Sequence, residues 1–138
     1  MNNNIKICIL RSNPVKPDSR VEKEALALHN AGYNVHILAW DRDTDHLPVT
    51  ESITVAGKDI PITRLGFKAS FGEGFKNIIP FLKFQFGIRK FLRKEHFDIV
   101  HACDFDTAFS SLGISKRKKY KFIIWRARTN GTSFWKIT

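Results

Sequence analysis

Two short segments carry side chains whose types and spacing could do chemistry. One is His101-Ala102-Cys103-Asp104-Phe105-Asp106-Thr107. Two carboxylates separated by one residue at the end of an apolar run suit hydroxyl binding or a general-base pair. The structural alternative is that Asp106 or Thr107 caps a following helix and His101 simply packs. The other segment runs from Arg11 to Arg20, and in it Lys16, Asp18, Ser19 and Arg20 sit where a helical pattern begins. The free N–H groups of a helix N-terminus can hold an anion, but Asp18 or Ser19 acting as an ordinary cap would occupy them. This segment has no glycine, so close backbone approach to a pyrophosphate is disfavoured and a dinucleotide-binding reading is poor.

The flanking pattern supplies the elements that must position these residues. Ile5–Leu10 reads as a buried strand. Val21, Ala25, Leu28 and Ala31 follow helical spacing, with Ser19 and Glu22 as a capping box, Asp18 as a competing cap and Gly32 as the stop. Asn34–Trp40 is a second apolar strand, which completes a βαβ unit. Asp41–Pro48 reads as loop. Ile53–Val55 and Ile60–Leu65 read as strands joined by a turn at Gly57-Lys58-Asp59. Gly72–His96 is the longest helical stretch, with Pro80 and Gly87 predicting a kink or two shorter helices. Phe97–Cys103 and Tyr120–Trp125 are further strands, with loop and short helix between them. Alternating strands and helices with apolar strands predict an α/β fold, a mainly parallel sheet flanked by helices. In such a sheet ligands bind beyond the carboxyl ends of the strands, where strand order reverses. That rule brings the two segments together.

At 138 residues, with 43% hydrophobic and 26% charged, the chain suits one domain with one sizeable core. Its net charge of +10 favours polyanionic partners: nucleic acid, anionic lipid or phosphorylated small molecules. No acidic residue follows Asp106, whereas Lys116, Arg117, Lys118, Lys119, Lys121, Arg126, Arg128 and Lys136 do. Cys8 and Cys103 both lie in apolar runs, form no CxxC and read as reduced, so no metal site is expected. The start of the chain has no signal-peptide pattern, and no apolar run is long enough to span a bilayer. The expected location is cytoplasmic, with peripheral attachment at the inner face of the membrane as the variant.

The helix over residues 75–94 interleaves phenylalanine, isoleucine and leucine with cations, and three readings apply. It is a core helix with snorkelling lysines, or an interfacial helix whose Arg89, Lys90, Arg93 and Lys94 face anionic lipid, or a base-stacking surface. No RRM, KH or zinc-finger pattern accompanies the last, so nucleic acid is not an expected partner.

Asp18-Ser19-Arg20-Val21-Glu22-Lys23-Glu24-Ala25, followed by Leu28 and by Ala31-Gly32-Tyr33-Asn34-Val35, resembles a pattern of the family 4 glycosyltransferases. Phe97-Asp98-Ile99-Val100-His101-Ala102-Cys103-Asp104-Phe105-Asp106-Thr107 resembles a second segment of that family. The resemblance implies that the chain is the N-terminal, acceptor-side half of a GT-B fold in a retaining, nucleotide-sugar-dependent enzyme. It implies no cofactor or obligatory metal, and a sugar or lipid-linked acceptor. His101 and Asp104 would be catalytic, and Lys16, Arg20, Asp106 and Thr107 would bind acceptor. Cys103 stands where the family often has a second histidine. The nucleotide sugar belongs to the family's C-terminal domain. Residues 1–122 are therefore expected to form the Rossmann-like domain and residues 123–138 a basic tail of a truncated or frame-shifted product, inactive alone. The alternative is a non-catalytic Rossmann-like module that docks on a membrane or protein through residues 72–96.

Overall fold

The computed structural model describes residues 4–70, 72–104, 106–108 and 110, together with the backbone strands 121–126 and 134–137. In chain order the elements are β1 (Lys6–Arg11), α1 (Ser19–Asn30), β2 (Asn34–Asp41), β3 (His46–Val55), β4 (Lys58–Gly66), α2 (Ile78–Lys94), β5 (Ile99–Ala102), β6 (Lys121–Arg126) and β7 (Phe134–Ile137). A 3-10 turn over Gly74–Asn77 leads into α2. The strands form one sheet in the order β3-β4-β2-β1-β5-β6-β7. The five central strands run parallel, and β3 and β7 close the edges antiparallel. This is the expected Rossmann-like α/β fold. Strand order reverses between β1 and β5, so the crevice beyond their carboxyl ends is the topological switch point.

Alternation along the strands builds two cores, one on each face of the sheet. Ile9, Ile37, Ala39 and Ile62 pack with Val21 and Ala25 of α1. Cys8, Leu10, Leu38, Trp40 and Val100 pack with Phe84, Ile88 and Leu92 of α2. That double burial is why the strands read as apolar runs. Trp40 stacks on Phe84 with ring centroids 4.6 Å apart and donates its indole N–H to Phe67 O at 2.8 Å.

Several elements depart from expectation. β3 starts at His46, well before Ile53, because an exposed edge strand needs no apolar alternation. Its hairpin turns on Ala56 and Gly57, at φ of 47° and 76°, the left-handed pair of a two-residue turn. α2 runs uninterrupted from Ile78 to Lys94. Pro80 falls in its first turn, where no intrahelical N–H is required. Gly87 is a packing device: a Cβ there would lie 2.8 Å from Leu65 Cδ1. A boundary after residue 122 falls inside β6, and the following stretch adds β7 to the sheet. Lys116, Arg117, Lys118, Lys119 and Arg128 lie outside the described residues. No described helix is long and apolar enough to cross a membrane.

Candidate functional site

β1 and β5 lie side by side with Leu10 opposite Ala102, and Cys103 N donates to Leu10 O at 3.1 Å. The loops that follow them therefore leave the sheet together. Arg11, the last residue of β1, joins them. Its Nε donates to Asp18 Oδ2 at 2.8 Å and its Nη1 to Asp104 Oδ1 at 2.5 Å. The other Asp104 oxygen accepts from Ser12 N at 3.0 Å and Ser12 Oγ at 2.9 Å. Asp18 also accepts from Asn13 Nδ2 at 2.8 Å.

Asp18, not Ser19, caps α1: its Oδ1 accepts from Arg20 N at 3.2 Å and Val21 N at 3.4 Å, while Glu22 accepts from Asp18 N at 3.2 Å. The Arg20 and Val21 N–H groups, which could have faced an anion, are thus already engaged. Burial opposes ionisation of Asp18, but Asn13, Arg11 and the helix N–H groups outweigh it and hold the carboxyl below the usual range. Burial likewise works against the Arg11 guanidinium, and Asp104 and Asp18 more than offset it. Asp106 goes the other way. Burial and then the neighbouring Asp104 push its carboxyl up. A carboxyl pushed up beside a second carboxylate is the kind of group acid–base chemistry uses.

The expected residues divide. Asp104 and Asp106 come together beside Ser12. Thr107 is fully buried, its N–H donating to Asp106 Oδ1 at 3.0 Å and its hydroxyl to Asp104 O at 2.8 Å, so it shapes the turn that presents both carboxylates. His101 is only 3% exposed and lies beneath α1, its Nδ1 2.8 Å from Glu24 Oε1. Lys16 turns to Asp41 at the end of β2, with Nζ 3.6 Å from Oδ2. Arg20 is exposed on the first turn of α1. Arg89, Lys90, Arg93 and Lys94 are not part of this cleft. They line a surface hollow with Phe86 on the last turns of α2. Because α2 runs back to the start of β5, those turns lie toward the amino ends of the strands.

Sequence reasoning missed the residues that hold the two loops in place. Arg64, 5% exposed at the end of β4, donates to Pro14 O at 2.8 Å and Val15 O at 3.4 Å and pairs with Glu51. It supports a buried Val15 at φ 52°, whose N–H also donates to Asn13 Oδ1 at 2.9 Å. A branched residue in that region costs roughly 1–3 kcal/mol and persists only where its surroundings enforce it. Gln85 of α2 donates to Asp106 O at 2.8 Å and pairs with Ser110, anchoring the second loop from the opposite face. Arg11 and Asn13 sat inside the selected loop, but nothing in their spacing singled them out.

No family model and no curated protein matches the sequence. Among solved structures, the chain is similar to a sucrose-phosphate synthase from Thermosynechococcus elongatus, at TM-score 0.61 and 15% identity, over 86% of this chain and 61% of that one. A trehalose-6-phosphate synthase from E. coli bound with UDP-2-fluoro glucose is similar at TM-score 0.57 and 11% identity, over 86% of this chain and 32% of that one. The fold is that of a GT-B Rossmann-like domain. The chain spans about a third to three-fifths of these two structures. The C-terminal domain of a hydrogenase from Pyrococcus furiosus is similar too, at TM-score 0.58 and 12% identity, over 87% of this chain and 89% of that one. A shared fold therefore leaves the choice of function to the site.

Proposed function

We propose that this chain is the acceptor-binding half of a retaining, nucleotide-sugar-dependent glycosyltransferase of the family 4 type, inactive without a donor-binding domain. The observation that carries the reading is the Asp104–Asp106 pair at the switch point of a GT-B-like sheet, with one carboxyl pushed up and the other held by Arg11 and Ser12. An acceptor is rich in hydroxyls, and such a pair can accept hydrogen bonds from them. Asp104 is the residue assigned to the catalytic step. His101, assigned beside it from the resemblance, is better supported as a positioning residue, since its ring is buried against Glu24. Asp106, Lys16 and Arg20 belong to the acceptor side, and Thr107 acts through Asp104 and Asp106. A sugar or a lipid-linked sugar is the acceptor, and the nucleotide sugar is taken by the second domain.

The test is transfer. The purified chain, given labelled nucleotide sugars and a panel of glycoside acceptors, is expected to show none, and turnover would refute the inactivity. Adding a donor-binding Rossmann-like domain of a GT-B glycosyltransferase should give transfer. No transfer with any donor domain, and no binding of any glycoside acceptor to the chain, would count against the reading.

One observation favours adding membrane docking. Ile79, Leu82 and Phe86 are 65%, 48% and 64% exposed, at spacings that share a face of α2 with Arg93. A stripe of apolar side chains continued by cations suits an anionic bilayer surface. Flotation with phosphatidylserine vesicles at low salt should carry the chain upward, and reversing Arg89, Lys90, Arg93 and Lys94 to glutamate should abolish it. Failure of the native chain to float would remove docking and leave the transferase reading intact.

A further inference from the structure

Three side chains outside the Asp104–Asp106 cleft converge where no sequence spacing brings them together. His101 and Cys103 stand two residues apart at the end of β5 and so project on the same side of the sheet. Glu24 reaches down on them from α1, 79 positions from Cys103 in the chain. Its Oε1 is 2.8 Å from His101 Nδ1 and its Oε2 is 4.0 Å from Cys103 Sγ. The three potential donor atoms all lie within 4.8 Å of one another.

We propose that Glu24, His101 and Cys103 bind a thiophilic divalent cation, with zinc the best match. Imidazole, thiolate and carboxylate are the donors zinc accepts, at about 2.0–2.3 Å, and three protein ligands leave one position for water or a further ligand. A dication held at those lengths requires the donors to sit a few ångströms from one another, which they already do. The charges also balance: a carboxylate, a thiolate and a neutral imidazole sum to the charge that a dication cancels, as burial demands. His101 and Cys103 are nearly inaccessible, and both are anchored by the β1 ladder, so the ligands ride on sheet and helix, not on a mobile loop. A thiol must lose its proton to become the thiolate ligand, so binding releases that proton. Histidine at the place of Cys103 would leave a harder donor set with weaker preference for thiophilic ions.

The experiment titrates the chelator-stripped full chain with Co2+. One ion is expected to bind, with thiolate-to-cobalt charge-transfer absorption, release of about one proton, and displacement by Zn2+. Cys103→Ser should abolish the charge-transfer band, while Cys8→Ser, on the opposite face of the sheet, should keep it. Glu24→Gln, at a partly exposed position on α1, should weaken binding by about tenfold or more with the far-UV circular dichroism unchanged. It serves as the deciding variant if Cys103→Ser fails to fold. A folded native chain without a charge-transfer band, a band that survives in Cys103→Ser, or an affinity unmoved by Glu24→Gln would each overturn the site. Binding through surface histidines would give absorption without thiolate character and counts as the same negative result.

Discussion

Arg11 donates to two carboxylates that belong to different loops, Asp18 before α1 and Asp104 after β5. Removing the cation leaves both partly buried acids facing each other. Arg11→Met should lower stability by about 2 kcal/mol, the scale of a lost charge-assisted hydrogen bond, as read from urea unfolding. Asp18 has a second duty as the α1 cap. Its carboxyl sits below the ordinary 3.8, so the folded state binds fewer protons than the unfolded chain around that value. Its contribution is present above about pH 4 and is lost as pH falls through the lowered value. Asp18→Asn should flatten the acid limb of stability against pH. His36 works on the same sign at higher pH. Burial holds it below its ordinary 6.5, where Phe91 and Phe97 flank the ring and Thr63 Oγ1 lies 2.8 Å from Nε2. Stability should decline as pH drops below about 6.5, and His36→Gln should remove that slope while keeping a partner for Thr63.

α2 shows how an element can overrule its own local signals. Gly87 costs about 1 kcal/mol of helix propensity relative to alanine, yet the helix passes so close to β4 that a methyl group would meet Leu65 at 2.8 Å and Phe67 at 3.2 Å. Overpacking a tight core costs about 1–3 kcal/mol, so the clash exceeds the propensity gain. Gly87→Ala is expected to shift the urea midpoint downward by about 1 kcal/mol of stability. A rise would mean that Leu65 yields freely. The loop after β1 is likewise set from outside. Arg64→Ala should free Pro14 and Val15 and cost about 2–3 kcal/mol through lost hydrogen bonds to a charged group, with a larger loss of any acceptor affinity, because Val15 can then leave its left-handed conformation.

At the scale of the molecule, strand order and the two faces of the sheet decide what meets what. The apolar runs of β1, β2 and β5 and the helical spacing of α1 were legible because each reflects a local periodicity. The switch point followed from them through a general rule of parallel sheets, and that rule selected the segments after β1 and β5, while the resemblance alone proposed His101, Asp104 and Asp106 as an acceptor floor. The start of β3, the strand β7 and the continuity of α2 were not, since edge pairing and close helix–sheet approach depend on partners distant in sequence. The same limit hid Arg64, Gln85 and Glu24. The sequence by itself determined an α/β chain and marked the segments after its first and fourth long apolar strands as candidate sites, because pattern and turn chemistry act over a few residues. Only the tertiary structure decided which groups meet there. It put Arg11 between two acids, buried His101 against Glu24, and brought Cys103 beside them, because hydrogen bonds and ion pairs form between neighbours in space, however far apart they stand along the chain.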